Sequence, residues 1–264
     1  VPKDFSSVVK PLMPAVVNIS TTTQISHERR LPGLGNNQAN PLEDLFRQFL
    51  EEHQGGGRPR KTSSLGSGFI IGQEGKTVFV VTCNHVISEA DEIEVTLNDG
   101  DKLKAEVVGR DRRTDLALLK MQSDKKLTTV SWGDSSKADV GQWLIAVGNP
   151  FGLSSTVTVG VISMVARDIA AKGGPRGGLA DYVDGYIQTD ASINMGNSGG
   201  PMFDINGNVI AISTAIFSPN GGNIGIGFGI PSDLAKQVIE QLKKFGRTKR
   251  GWLGVQIQNI TPEI

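Results

Sequence analysis

The run Gly196-Asn197-Ser198-Gly199-Gly200-Pro201 constrains the fold more than any other part of the chain. Glycine and proline around a hydroxyl predict an irregular turn whose backbone can approach another molecule closely. One interpretation is a serine-nucleophile loop, in which the amides of Gly196 and Ser198 point toward a single oxyanion. The other is an ordinary glycine-rich turn between two strands, and the run by itself leaves both interpretations open.

The chain has three histidines, and each is a candidate base for Ser198, because a serine hydroxyl is a poor nucleophile without a base. His27 and His53 lie in charged or glycine-rich stretches that are typical of solvated surface. His85 instead comes shortly after the apolar run Val78-Phe79-Val80-Val81, whose composition predicts a buried strand. We expect His85 at the exit of a rigid strand, where a base would be well placed. A histidine satisfied within the core is the alternative.

Asp115 is the aspartate that best fits the role of an orienting carboxylate. It directly precedes the apolar run Leu116-Ala117-Leu118-Leu119, whereas Asp99 and Asp101 flank a hairpin turn and Asp111 stands among arginines. A carboxylate at a strand edge can hold an imidazole in one tautomer and stabilise the imidazolium form. The alternative is a turn aspartate at the start of a strand, with no role in chemistry.

The order of the three candidates, His85, Asp115 and Ser198, constrains the fold. It is the chain order of chymotrypsin-like folds, and it differs from the orders of subtilisin and of α/β-hydrolases. Short apolar runs alternate with turn residues over 65–122, and the same pattern recurs over 140–230. We therefore predict an all-β, chymotrypsin-like (trypsin-like) double six-stranded β-barrel with short helices. The first barrel would span about 8–125 and the second about 130–231, with the active site in the cleft between them.

Three further elements complete this prediction. A first strand is expected within Val8–Thr23, followed by a long surface loop over 24–64. A C-terminal helix is expected over 232–245, with Ser232 as its cap and Gly246 after its last turn. The long loop contains five apolar residues at helix-like spacing, which would dock on another subunit or on the loop's own barrel: Leu42, Leu45, Phe46, Phe49 and Leu50.

The segments that carry these candidates resemble the HtrA (Deg) family of serine proteases, and most of all its bacterial DegP/DegQ branch. The similar segments are Thr82–Ile87, Thr114–Lys120 and Gln188–Pro201, and the likeness extends through almost the whole chain. Residues 1–246 would then form the protease domain. The segment Arg250–Val255 is similar to the entry of a PDZ domain, so 247–264 would be a linker and the start of a truncated PDZ domain.

The resemblance implies an ATP-independent serine endopeptidase that degrades misfolded or unfolded proteins and has an accompanying chaperone activity. His85 would be the base, Asp115 its orienting partner and Ser198 the nucleophile of an acyl-enzyme mechanism. The remaining site residues are also carried over from the family. The oxyanion hole would comprise Gly196, Asn197 and Ser198. The substrate pocket would be lined by Ile193, Ile226, Thr214, Ala215 and Ile216. A regulatory loop would begin at Arg167.

The resemblance also implies the setting of the activity. No metal or organic cofactor is expected, and the partners would be unfolded or misfolded polypeptides. A homotrimer is expected, with higher oligomers in the full-length protein. The location would be the bacterial periplasm, with the signal peptide already removed from this chain. The alternative function is a holdase chaperone or regulatory scaffold whose protease site is at rest.

Composition excludes other classes of function. Lys and Arg together number 27, as do Asp and Glu, so there is no electrostatic case for a nucleic-acid partner. No apolar stretch approaches the ~20 residues of a membrane helix.

Two positions depart from the family pattern: Cys83, where asparagine or alanine is usual, and Met195, where proline is usual. A thiol nucleophile at Cys83 is disfavoured because no glycine loop surrounds it.

Overall fold

The computed structural model describes residues 4–24, 61–150, 155–167, 185–194, 196–216, 223–251 and 254. Six strands precede residue 123, seven follow it, and the described helices are short apart from the last. The strands are β1 Val16–Gln24, β2 Lys61–Glu74, β3 Thr77–Cys83, β4 Glu92–Thr96, β5 Lys102–Asp111, β6 Leu116–Gln122, β7 Ser131–Trp132, β8 Trp143–Gly148, β9 Thr156–Arg167, β10 Tyr186–Thr189, β11 Pro201–Phe203, β12 Asn208–Ile216 and β13 Gly227–Pro231. The helices are α1 Ser6–Leu12, α2 Asn84–Ile87 and α3 Ser232–Phe245, with 3₁₀ turns at Met13–Ala15 and Ser135–Lys137.

The first barrel closes in the order β1-β2-β3-β6-β5-β4, and all its pairings are antiparallel. Strand β3 is buried on both faces, as its run of β-branched and aromatic residues predicts. The hairpin between β4 and β5 turns at Gly100, which has φ +91°. Glycine takes this backbone conformation at no steric cost, so the Asn98-Asp99-Gly100 turn forms where the sequence predicts it.

The second barrel is a ring of six strands, β11-β8-β9-β10-β13-β12, closed by pairing between β11 and β12. Strand β7 adds to it as a seventh strand, parallel to β12. The predicted double six-stranded barrel is therefore confirmed. Among the described residues, no helix is long and apolar enough to cross a membrane.

Helix α3 spans Ser232–Phe245 and ends at Gly246, which has φ +68°. Both bounds agree with the prediction, but the cap does not. Ser232 makes no capping hydrogen bond, and its hydroxyl donates to the carbonyl oxygen of Gly133 at 3.1 Å. The start of the chain also differs, because Ser6–Leu12 is helical and the first strand begins only at Val16.

A buried side chain of the first barrel is hydrogen-bonded to the second barrel. The side-chain amide of Asn18 on β1 donates to the carbonyl oxygen of Gly66 at 3.2 Å and to that of Asn149 at 2.9 Å. Asn149 directly follows β8 of the second barrel, and Asn18 is only 3% exposed. One buried amide thus joins β1 and β2 of the first barrel to the residue that follows β8 of the second. The loop predicted for 24–64 lies almost entirely outside the described residues, including all five of its apolar positions.

Candidate active site

His85 lies where strand β3 turns into the short helix α2. Pairing with both β2 and β6 holds the end of β3 in place. Nδ1 of His85 lies 2.6 Å from Oδ2 of Asp115, and the backbone amide of His85 donates to Oδ1 at 2.8 Å. These two contacts fix the orientation of the imidazole. They engage Nδ1 with the carboxylate, so any proton transfer by His85 would use Nε2.

Asp115 is held in an uncommon backbone conformation, with φ +56°. Its carbonyl oxygen accepts a hydrogen bond from the amide of Asn84 at 3.0 Å. Its Oδ2 accepts a further one from the hydroxyl of Thr214 at 2.8 Å. The carboxylate therefore receives three hydrogen bonds, two from His85 and one from Thr214, although the residue is only 8% exposed.

The electrostatics keep this carboxylate charged. Burial raises the pKa of Asp115, but the charge of His85 and the hydrogen bonds from His85 and Thr214 outweigh burial and lower the pKa below its ordinary 3.8. Asp115 is therefore ionised at neutral pH. It can stabilise the imidazolium that forms when His85 accepts a proton.

Ser198 lies on a glycine loop that the first barrel holds in place. The loop bends at Gly196 (φ +92°) and Gly199 (φ +85°), and a Cβ at Gly199 would lie 2.3 Å from the carbonyl oxygen of Ser67. The Ser67 hydroxyl donates to the carbonyl oxygen of Gly196 at 2.5 Å, and the Ser67 amide donates to that of Ser198 at 2.9 Å. Ser67 also accepts from the amide of Asn149 at 2.8 Å. A residue of β2 therefore sets the position of the nucleophile loop.

The backbone amides of residues 196–198 differ in their hydrogen bonding. The Asn197 amide donates to the carbonyl oxygen of Asn194 at 3.0 Å, so the loop's own turn uses it. The amides of Gly196 and Ser198 make no hydrogen bond to any residue that the structure describes. These two donors fit an oxyanion hole, whereas the amide of Asn197 does not. The Ser198 hydroxyl itself donates to the carbonyl oxygen of Thr214 at 3.5 Å, which is a weak contact.

The residues assigned to the substrate pocket meet near the start of β13. Ile216 pairs with Gly227, and a Cβ at Gly227 would lie 2.8 Å from Cγ1 of Ile193. Ile193 is 2% exposed and belongs to an apolar cluster of the second barrel, so its side chain packs in the core. Ile216, Ile226 and Ala215 are half-buried and can form the wall of a pocket.

Cys83 lies close to His85 and Asp115. It is fully buried, and its Sγ lies 3.4 Å from the carbonyl oxygen of Ser213. Burial and the negative charge of Asp115 raise the pKa of this thiol well above its ordinary 9.0. The donor atoms of Cys83, His85 and Asp115 lie within 4.8 Å of one another, a spacing that a metal ion could bridge. The hydrogen bonds already made by His85 and Asp115 fit proton transfer, and the thiol is inert as a nucleophile.

Two predicted features have little or no structural description. Arg167 ends strand β9, where its backbone pairs with Tyr186, but its side chain is outside the described residues. The regulatory loop after it and Met195 are outside them as well.

Two supporting residues were missed from the sequence. The hydroxyl of Thr214, a residue that the sequence assigns to the pocket, donates to Asp115, and Ser67 holds the Ser198 loop. Ser67 stands in the Leu65–Ile71 motif, which is a signal that could have drawn attention to it.

Comparisons with known proteins agree with this geometry. A model of the trypsin-like peptidase domain matches residues 66–212. A Rickettsia conorii protein named probable periplasmic serine endoprotease DegP-like is 47% identical over 267 residues, which cover 98% of this chain and 50% of that protein. A protein of the same name from Brucella suis is 44% identical over 283 residues, covering 98% and 53%. The chain spans about half the length of these curated relatives.

Solved structures give the same result. The HtrA-type protease AlgW with tripeptide matches with a TM-score of 0.76 and 38% identity, over 98% of this chain and 70% of that one. AlgW with decapeptide matches with a TM-score of 0.75 and 38% identity, over 98% and 74%.

Proposed function

The chain belongs to the HtrA-type family of trypsin-like serine proteases, and on that premise we propose that it is a serine endopeptidase acting through an acyl-enzyme. The observation that carries this proposal is the buried Asp115 carboxylate hydrogen-bonded to His85, on the first barrel that also holds the Ser198 loop. Two amides of that loop, those of Gly196 and Ser198, suit an oxyanion. Base, orienting carboxylate and nucleophile therefore lie on separate residues, and the nucleophile's own amide is one of the two oxyanion donors.

The mechanism follows from these positions. The Ser198 hydroxyl turns from the carbonyl oxygen of Thr214 toward His85 and attacks a peptide carbonyl carbon while its proton passes to Nε2. The C–N bond then breaks, and the leaving amine takes the proton from His85. Water attacks the resulting ester by the same route, which releases the acid and restores the Ser198 hydroxyl. Asp115 stabilises the imidazolium in both halves of the reaction.

We further propose unfolded or misfolded polypeptides as substrates and the periplasm as the location. The names of the relatives from Rickettsia conorii and Brucella suis support the location. A homotrimer is part of the proposal. Support for self-association comes from exposed apolar side chains on the second barrel, namely Val140 at 57%, Trp143 at 38% and Val159 at 37%.

The pocket proposal concerns the residue that precedes the cleaved bond. Ile216 and Ile226 would form an apolar wall that selects small aliphatic side chains such as valine or alanine. Ile226→Ala should widen the pocket and shift the preference toward larger apolar residues. Profiling with a peptide library measures this directly, and an unchanged preference would show that Ile226 has no pocket role.

The function is tested by labelling the folded protein with a fluorophosphonate probe, with and without unfolded casein, and locating the adduct by mass spectrometry. Labelling at Ser198 is expected, and Ser198→Ala is the matched control, with peptide hydrolysis lowered by roughly 10³-fold or more and the fold kept. Labelling only with casein would mean that substrate activates the site. No labelling in either state, or near-normal cleavage by Ser198→Ala, would refute the proposal. Protection of aggregating clients by Ser198→Ala would reveal a separate holding activity.

A further inference from the structure

The residues after helix α3 lie along strand β5 of the first barrel. We refer to residues 246–250 as the C-terminal strap. Gly246 ends the helix, and its amide donates to the carbonyl oxygen of Leu242 at 2.8 Å. A Cβ at Gly109 on β5 would lie 2.5 Å from the carbonyl oxygen of Gly246. The missing side chain at Gly109 therefore allows the strap to lie directly against the strand.

Arg250 anchors the other end of the strap to Asp111, the last residue of β5. Nη1 of Arg250 donates to Oδ1 of Asp111 at 2.9 Å, and Nη2 donates to Oδ2. The Asp111 side chain is 6% exposed and that of Arg250 is 28% exposed. A guanidinium matches a carboxylate in this two-pronged geometry, which a lysine ammonium cannot reproduce. Nη1 also donates to the hydroxyl of Thr248 at 2.7 Å, which further fixes the side chain.

Asp111 begins the tight turn that ends at Asp115. The hydroxyl of Thr114, which is 1% exposed, donates to Oδ2 of Asp111 at 2.6 Å. Asp111 also pairs with Leu116 across the β5–β6 ladder. Both ends of the turn are therefore held to each other, and the carboxylate at its start is held by Arg250.

The conformation of Asp115 requires such support. A non-glycine residue at φ +56° persists only where its surroundings enforce that backbone conformation. The carboxylate that meets His85 extends from this residue. A small change in the turn would therefore move the carboxylate relative to the imidazole.

We propose that Arg250 is a positioning residue for the catalytic pair: by holding Asp111 it fixes the turn 111–115 and so the orientation of Asp115 toward His85. The inference rests on the proposed endopeptidase function. Arg250 acts on the catalytic pair through Asp111 and Thr114. Displacement of the C-terminal strap consequently changes the rate of catalysis without entering the substrate cleft.

The test compares Arg250→Gln, Arg250→Lys and Asp111→Asn with the unchanged 264-residue chain. Lys243→Gln is the matched control, because Lys243 also joins the C-terminal helix to the first barrel, through Glu74 at 2.6 Å, but does not contact the turn. Both the rate constant and the final stoichiometry of fluorophosphonate labelling at Ser198 are measured. Peptide hydrolysis supplies kcat and KM separately.

In Arg250→Gln, the labelling rate constant and kcat should fall about 10-fold, the scale of indirect coupling, with full stoichiometry and little change in KM. Arg250→Lys should lie between this variant and the unchanged chain, and Lys243→Gln should keep the original rate. Combining Arg250→Gln with Asp111→Asn should add little, because both remove the same contact.

Unchanged rate constants in Arg250→Gln would overturn the inference. Reduced stoichiometry at an unchanged rate constant would also overturn it, because that result means a purely structural role. If the unchanged chain is not labelled under any condition, the proposed function fails first and takes the inference with it.

Discussion

Thr214→Val removes one hydrogen bond from the Asp115 carboxylate and keeps the branched shape of the side chain. Thr214 is 5% exposed on β12, and its hydroxyl lies 2.8 Å from Oδ2 of Asp115. Valine suits a strand as well as threonine does, so the variant loses a donor without losing strand propensity. Thr214→Ser is the matched control because it keeps the hydroxyl and loses only a methyl group.

The expected magnitudes follow from these contacts. A hydrogen bond to a charged group stabilises a folded protein by about 1.5–3 kcal/mol, and a buried methyl group by about 0.8 kcal/mol. The free energy of unfolding should therefore fall by about 1.5–3 kcal/mol in Thr214→Val and by only about 0.8 kcal/mol in Thr214→Ser. Because the same bond orients Asp115, kcat should fall roughly 10-fold in the valine variant only.

Urea unfolding at pH 7, followed by tryptophan fluorescence, measures the stability, and hydrolysis of a fluorogenic peptide measures kcat. Both assays are run on both variants. If Thr214→Val matches Thr214→Ser in stability and in kcat, the hydroxyl of Thr214 does not support the carboxylate and the reasoning is refuted.

Three further predictions concern other residues. Gly199→Ala should lower the free energy of unfolding by roughly 1–3 kcal/mol, because alanine is strained at φ +85° and its Cβ would meet the carbonyl oxygen of Ser67; thermal melting checks this. Cys83 should resist iodoacetamide in the folded protein and react only after unfolding, as mass spectrometry can show, because burial and the nearby aspartate raise the pKa of its thiol. Although burial raises the pKa of Asp111, hydrogen bonds from Arg250 and a threonine bring it below 3.8. The stabilisation is therefore present above about pH 4 and lost as pH falls through the lowered pKa, so Arg250→Gln should lower Tm more at pH 7 than at pH 3.

The barrels and helix α3 could be predicted from the sequence because their signals are local. The buried run before His85, the turn at Gly100 and the stop at Gly246 each depend on residues within a few positions. The prediction that Ser232 caps the helix was wrong because its hydroxyl donates to the carbonyl oxygen of Gly133, which is far away in the sequence. Local propensity does not contain such a contact.

The candidate site divides in the same way. Candidates for base, carboxylate and nucleophile can be named from short motifs. The hydrogen bonds that hold these residues in place join distant parts of the chain, as between Ser67 and Gly196 or between Thr214 and Asp115. The positive φ of Asp115 is also hidden in the sequence, because an aspartate before an apolar run is compatible with an ordinary strand start. The two contacts form only when the two barrels pack together, whereas the φ of Asp115 belongs to a turn within the first barrel.

The hold of Ser67 on the nucleophile loop has a consequence for synthesis of the protein. Chains fold from the N-terminus as they are made, so the first barrel can close and pair His85 with Asp115 while Ser198 is still unmade. Ser198 lies between β10 and β11 of the second barrel, so its loop can reach Ser67 only after that part of the chain has been made. A chain whose first barrel alone has closed would therefore hold the His85–Asp115 pair without Ser198, and hydrolysis would require the second barrel as well.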